Sequence, residues 1–354
     1  MPAEWEPHRA TWLSWPHKAE SWPGKFELIQ PIYAQMVAAL APGETVHINV
    51  NNAFMESEAR KVLAKAGVTH NIEFHHFPTN DAWCRDHGAI FVVRDRDRQV
   101  AVTDWGYNAW GEKYPPYDLD NLIPRRMAEH LKLPRFEGHM ILEGGSIEVN
   151  GAGVLLTSEA CLLNDNRNPH MSRVQIEDRL CDYLGVRKVL WVGDGIVGDD
   201  TDGHIDDMTR FVSADTILTS VEEDPEDENY PILQENLQRL KRMTNLDGRP
   251  FTVLTMPMPP AVIYEGHRLP ASYANYYIGN QVVVVPFFNH PNDERAQAIL
   301  QRCFPTRRIV GIDCTDIVWG LGAWHCLTQQ VPAGTGIREQ KEQISDWKLE
   351  FGDT

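Results

Sequence analysis

The sequence predicts an α/β protein of repeated units, a propeller-like ring of five, and three observations carry that expectation. Strand, strand, helix and strand recur at intervals of about 55 to 70 residues, the period of a propeller-like or other repeat architecture. A polar cluster stands near the start of each hairpin, where a half-buried strand is ordinarily apolar. A hydrophobic content of 42% with eleven tryptophans supplies core for 354 residues, and length alone leaves the number of domains open.

The chain opens on an amphipathic helix over 25–40, then strand 45–50, a helix near 54–66 and strand 72–77. The first full unit has a hairpin of 89–93 and 99–103, a helix over 122–131 and a short strand near Arg135. In the second, strands 146–149 and 154–157 flank Asn150-Gly151, a pair suited to the type I′ turn. Its helix, 173–184, is opened by Ser172 with Gln175 three residues on, a capping box, and strand 188–192 closes the unit. The third has strands 208–212 and 216–219, a helix near 232–243 and strand 251–255. The fourth runs through 276–278, 281–286, helix 294–303 and strand 308–312. The segment around Cys326 is expected to give the amino-terminal helix and strand their missing hairpin and so close the ring. Trp5, Trp12, Trp15 and Trp22 read as packing of the amino-terminal segment.

A formal charge of −17 argues against nucleic acid and anionic membranes as partners and favours a cationic one. No apolar run reaches about 18 residues and no basic stretch precedes a short apolar one, so a cytoplasmic location is expected. The six cysteines are scattered without paired spacing and read as free thiols.

The densest polar stretch is Gly198-Asp-Asp-Thr-Asp-Gly-His-Ile-Asp-Asp-Met-Thr-Arg-Phe211, one histidine among five aspartates. Such a cluster is costly without a cation, unless it is only a solvated loop. A calcium loop starting at Asp200 would need Gly and Glu where Ile205 and Phe211 stand. Zinc would want a second His or a Cys at short spacing, so no metal is expected and a cationic substrate is favoured. The other polar segments are Trp83-Cys-Arg-Asp-His-Gly88, Leu142-Glu-Gly-Gly-Ser146, Ala274-Asn-Tyr276 and Trp324-His-Cys-Leu327. Around a pseudo-symmetry axis, Asp86, Glu143, His204, Asp206, Asn275 and Cys326 would face one another. Several carboxylates beside a thiol do not suit acyl transfer, which uses N–H donors, but they suit a planar guanidinium whose central carbon the thiol attacks from the face.

These residues carry a resemblance. Met1-Pro-Ala-Glu-Trp-Glu-Pro-His8, Trp83-Cys-Arg-Asp86, Leu142-Glu-Gly-Gly-Ser-Ile147, Asn166-Arg-Asn-Pro169, Gly198–Asp206, Leu269-Pro-Ala-Ser-Tyr-Ala-Asn-Tyr-Tyr-Ile278 and His325-Cys-Leu-Thr-Gln-Gln-Val-Pro332 stand in order over nearly the whole chain. The sequence resembles the agmatine deiminases of the guanidine-modifying (pentein) superfamily, in the branch shared with bacterial peptidyl-arginine deiminases. The resemblance implies a single-domain α/β-propeller of five units over 1–354, no cofactor, and a small guanidine substrate, agmatine. It implies Cys326 as nucleophile, His204 as general acid and base, and Asp86 and Asp206 as the guanidinium-binding carboxylates. Trp83 and Glu143 match pocket residues, and Asn275 a polar group near the site. Cys84, His87 and Ala89 depart from the usual Met, Thr and Pro, and the bulky Trp324 replaces an aliphatic residue where the substrate's tail is expected.

Asp200 and Asp202 are the expected partners of agmatine's far ammonium; an arginine-specific site would need a cation such as Arg210 or Arg268. Arg85 reads as part of an ion-pair network, and Cys84 as a possible second reactive thiol. Peptidyl-arginine or free arginine as substrate, a non-catalytic guanidinium-binding protein, and a homodimer all stay open.

Overall fold

The computed structural model describes residues 1–335, so residues 336–354, which the single-domain expectation includes, lie outside the described residues. The amino-terminal strands are β1 (His8–Ser14), β2 (Thr45–Asn49) and β3 (Ile72–His75). One three-stranded sheet holds β4 (Ile90–Val93), β5 (Val100–Gly106) and β6 (Arg135–Ile141), and the next β7 (Ile147–Val149), β8 (Val154–Ser158) and β9 (Lys188–Val192). A third holds β10 (Thr209–Ser213), β11 (Thr216–Val221) and β12 (Thr252–Pro257). After the small hairpin of β13 (Ile263–Tyr264) and β14 (His267–Arg268) come β15 (Tyr277–Ile278), β16 (Val282–Phe287) and β17 (Arg308–Asp313), and last β18 (Thr328–Pro332).

Five of these sheets share one plan: an antiparallel pair, then a strand parallel to the second. The parallel step needs a crossover. Helices Phe26–Leu40, Ile123–Leu131, Arg173–Leu184, Asn229–Leu240 and Pro291–Cys303 make it. In Phe26–Leu40, Ile29, Tyr33, Met36, Val37 and Leu40 are buried, three or four apart for the most part, which lays one apolar face on the sheet. The middle strands read as apolar runs because they are covered on both sides: β16 carries four consecutive valines, all buried. The sheets stay separate and do not close into one another.

Three expectations change. The first sheet has the order β18-β1-β2-β3, so its hairpin-like pair comes from opposite ends of the described chain, with Leu13 opposite Thr328. Strand β1 went unpredicted because all but one of its residues are buried, leaving no alternation to read. The turn at Asn150-Gly151 is a four-residue loop, residues 150–153, rather than a two-residue type I′ turn. In it the Asn150 side chain accepts from the N–H groups of Ala152 and Val154, and Gly151 and Gly153 take positive φ. Helix Asn229–Leu240 begins and ends three residues before the predicted bounds. The Ser172/Gln175 capping box is present.

The polar segments sit just ahead of the first strand of each sheet. A helical turn Cys84–His87 precedes β4, turns Gly144–Ser146 and Ile205–Asp207 precede β7 and β10, and Asn275 and Cys326 stand two residues before β15 and β18. No helix among the described residues is long and apolar enough to cross a membrane.

Candidate active site

Cys326 lines a cavity of about 450 Å³ with Trp83, Asp86, Trp110, Lys113, Tyr114, Asp200 and Trp319. A wider cleft of about 860 Å³ beside Met1, Arg98 and Gly151 contains neither this thiol nor these carboxylates, so the chemistry points to the smaller cavity. Asn275 holds the thiol: its Nδ2 donates to Sγ at 3.0 Å and to Asp207 Oδ1 at 2.9 Å, while its Oδ1 accepts from the N–H groups of His325 and Cys326. Asp206 Oδ2 lies 3.8 Å from the sulfur. Burial, then Asp206, Asp207 and Asp86, push the thiol well above its usual range.

Asp86 accepts from Gly145 N–H at 2.9 Å and Trp110 Nε1–H at 3.0 Å, and its Oδ1 lies 3.8 Å from His204 Nδ1. Burial raises Asp86 to about 6; His204 opposes the rise, while Asp206 and Glu143 add to it. Burial also works against a charged His204 ring, but Asp86, the Cys161 thiol and Asp206 outweigh it and lift the imidazole well above its usual value. Gly145 makes this packing possible, since a Cβ there would stand 2.5 Å from His204 Nδ1, 2.9 Å from Asp86 Oδ1 and 3.1 Å from Asp206 Oδ2. Both ring nitrogens of His204, Glu143 Oε2 and Asp206 Oδ1 are buried without a hydrogen-bond partner among the described residues.

Beneath the thiol runs a buried charged chain. Glu4 Oε2 lies 2.7 Å from His325 Nε2, and His325 Nδ1 lies 2.6 Å from Asp206 Oδ2. Arg210 donates to Glu4 at 2.9 Å and to Glu148 at 2.8 Å. Burial opposes ionisation of Glu4, yet Arg210, His325 and Arg85 hold it well below the usual carboxylate range. Asp206 is likewise held low against its burial by His325, His204 and Arg210.

A profile of the Porphyromonas-type peptidyl-arginine deiminases matches residues 1–332. The chain belongs to this deiminase family. An agmatine deiminase from Medicago truncatula is 37% identical over 94% of this chain and 96% of its own. The solved agmatine deiminase of Enterococcus faecalis is similar with a TM-score of 0.87 at 33% identity, covering 94% of this chain and 95% of that one. A cysteine-to-serine variant of the C. jejuni agmatine deiminase, solved with substrate bound, gives a TM-score of 0.84 at 34% identity over 94% and 96% of the two chains.

In this deiminase, Cys326, Asp86, Trp83 and Asp200 line the cavity; Glu143, His204, Asp206 and Asn275 are fully buried and do not border it, although His204 Nδ1 lies 3.8 Å from Asp86, and Asp206 and Asn275 stand 3.8 and 3.0 Å from the Cys326 sulfur. Trp324 and Asp202 do not border the cavity either. Trp324 is fully buried in the apolar core, so it does not shape the mouth. Asp202 turns away from the cavity, accepting from Lys113 at 2.9 Å, Asn166 at 2.9 Å and Arg167 at 2.5 Å, and these partners hold it low against its burial. Asp200 is also paired, with Lys113 at 3.3 Å and the Tyr114 hydroxyl, so the mouth is less anionic than the sequence suggests.

Neither arginine suggested for an arginine carboxylate reaches the cavity: Arg210 is fully buried, and Arg268 pairs with Asp227 at 2.9 Å. Arg85 joins an ion-pair network, its Nη2 3.6 Å from Glu4 Oε2, and also donates to Gln329 and Gln330 at 2.7 Å each. Cys84 is fully buried and does not line the cavity, and burial raises its thiol to about 12. Sequence reasoning missed Glu4 and His325 as supports and Trp110 as a donor to Asp86. Glu4 lay within a stretch already singled out, but nothing in its spacing tied it to a residue 321 positions away.

Proposed function

We propose that this chain is a hydrolase that converts agmatine to N-carbamoylputrescine and ammonia through a covalent intermediate on Cys326. The observation that carries the reading is the set of buried acceptors around a cavity-lining thiol. An unpaired buried polar atom costs roughly 1–3 kcal/mol, and a guanidinium, with its planar fan of N–H donors, suits carboxylates such as Asp86, Glu143 and Asp206. The aromatic walls, Trp83, Trp110, Tyr114 and Trp319, suit an alkyl chain ending in an ammonium, whose charge a ring face attracts. The relatives named for agmatine, and the cysteine-to-serine change in the substrate-bound C. jejuni protein, support the same reading.

In the proposed cycle the Cys326 thiolate forms a C–S bond to the guanidinium carbon. The C–N bond to one terminal nitrogen then breaks, with His204 supplying a proton so that ammonia leaves, and a thiouronium remains. His204 next takes a proton from water, the resulting hydroxide adds to the same carbon, and the C–S bond breaks as the added hydroxyl gives up its proton to solvent, releasing the neutral ureido product and the thiolate. The arriving guanidinium lowers the thiol's pKa, so the substrate helps create its own nucleophile. Asn275 and the Glu4–His325–Asp206 chain position the thiol and the carboxylate. The five sheets are proposed to stand as units of one α/β-propeller domain, which brings the five polar segments to a common centre. The six unpaired cysteines agree with action in the reducing cytoplasm.

Incubation with agmatine, free arginine and a blocked arginine peptide, each followed by a ureido assay, tests the proposal. Agmatine is expected to be turned over with the highest kcat/KM, and Cys326→Ala to abolish the product. Preference for the peptide or for arginine overturns the substrate assignment. Guanidine binding without ureido product marks a non-catalytic binding protein.

A further inference from the structure

Away from the cavity, four side chains with metal-ligating atoms meet at the edge of the first sheet. Strands β2 and β3 are parallel, with His47 beside Glu73 and Asn49 beside His75. The two-residue period of a strand puts Glu73 and His75 on one face, and the register puts His47 on the same face. His130, from the last turn of helix Ile123–Leu131, meets them, its ring centroid 4.3 Å from that of His75. One ligand atom from each of His47, Glu73, His75 and His130 lies within 4.8 Å of the others. His47 Nδ1 is 2.8 Å from His75 Nε2 and 3.4 Å from Glu73 Oε2. We propose that His47, Glu73, His75 and His130 form a site for a zinc-class divalent transition-metal ion, clipping helix Ile123–Leu131 to this sheet edge.

Three imidazoles and one carboxylate are a borderline-soft donor set suited to tetrahedral zinc. Metal–ligand bonds of about 2.0–2.2 Å in a tetrahedron put donor atoms about 3.3–3.6 Å apart. The observed spacing brackets that value: the His47–His75 pair must open slightly and the wider pairs close. Two ligands are firmly placed. His47 and His75 are buried, and Trp12 stacks on both rings at 4.5 and 4.8 Å. The other two, Glu73 and His130, are exposed and free to close on an ion. The short-spacing search of the sequence passes over this set because its members come from two strands and a distant helix. The other two groups of potential ligands, Glu143–Cys161–His204 and Asp206–Asp207–Cys326, belong to the site already described.

The test uses the untagged full chain, stripped with chelator and desalted, titrated with Zn²⁺ by calorimetry and with Co²⁺ by visible absorption. One equivalent is expected to bind, with the intense visible bands of four-coordinate cobalt and a rise in melting temperature. Glu73→Gln and His130→Ala change exposed residues, so their metal-free melting should match the wild type, while each weakens binding roughly tenfold or more. His76→Ala, an exposed histidine paired with Glu56 outside the cluster, should bind as the wild type does. Absence of stoichiometric binding, or binding that survives both ligand substitutions unchanged, overturns the proposal and leaves a stacked imidazole cluster.

Discussion

Replacing Asp206 with Asn separates two things the carboxylate does for Cys326. In the empty site its Oδ2 stands 3.8 Å from the sulfur and opposes a thiolate. Two unit charges at that distance interact by about 4 kcal/mol at an effective dielectric near 20, or roughly three pKa units. Asn keeps an oxygen to accept from the His325 ring, so the geometry changes little while the charge goes. The Cys326 thiol is therefore expected to titrate about one to three units lower in Asp206→Asn, with Asp86 and Asp207 still holding it up. Turnover should nevertheless collapse, because on the proposed mechanism the guanidinium loses one of its carboxylates. The assay is the pH dependence of alkylation by iodoacetamide, a neutral reagent, read at the Cys326 peptide by mass spectrometry so that the other thiols do not contribute. An unmoved midpoint in the variant would refute the reasoning. So would a wild-type midpoint well below 7, which would mean a thiolate and imidazolium already paired between Cys326 and His204.

Three further outcomes follow from the same geometry. Gly145→Ala places a methyl 2.5 Å from His204 Nδ1; relieving that overlap moves the carboxylate–imidazole cluster by about 1 Å, and kcat/KM should fall about a hundredfold with the fold retained by melting. Near-normal kinetics would show that the cluster yields freely. On the proposed mechanism Asp86 is ionised when it holds the substrate, so kcat/KM for agmatine should decline as pH falls through about 6, and a flat profile down to about pH 5 would contradict that role. Glu4→Gln leaves a buried guanidinium and imidazole short of a counter-charge and should cost about 3 kcal/mol in urea unfolding. Since the folded value of Glu4 lies below its unfolded one, this stabilisation is complete above the ordinary carboxylate range and is lost only as pH falls through the depressed value.

Much of this was legible because repeated local patterns had local causes. The Ser172 cap, the valine run of β16 and the polar segments ahead of the strands each announce themselves within a few residues. Cys326, His204, Asp206, Asp86, Glu143 and Asn275 could be brought together on paper because their segments recur at matching places in the units. What stayed hidden depends on partners remote in sequence. Strand β1 has no alternation because both of its faces are covered. Trp324 stands two residues from the thiol, and only the packing shows that its ring belongs to the core. The acidic stretch looked free to attract an ammonium, but Lys113 and Arg167, from two other segments, had already claimed Asp202. The imidazole cluster of His47, His75 and His130 has no signature in spacing, because it is made by strand register and a helix end.

The pairing of β1 with β18 has a consequence for how the chain matures. Glu4 and Trp12 precede the four middle three-stranded sheets in the chain, whereas His325 and Cys326 follow them. Until β18 is paired, β1 has an open edge on that side, and Glu4 awaits one of its partners. Each middle sheet carries its own crossover, whereas His325 reaches Glu4 and Asp206 beside the thiol only when β18 is paired with β1. On the proposed mechanism, closing this seam and assembling the surroundings of Cys326 are one event, so a chain that stops short of β18 is expected to leave guanidines unmodified.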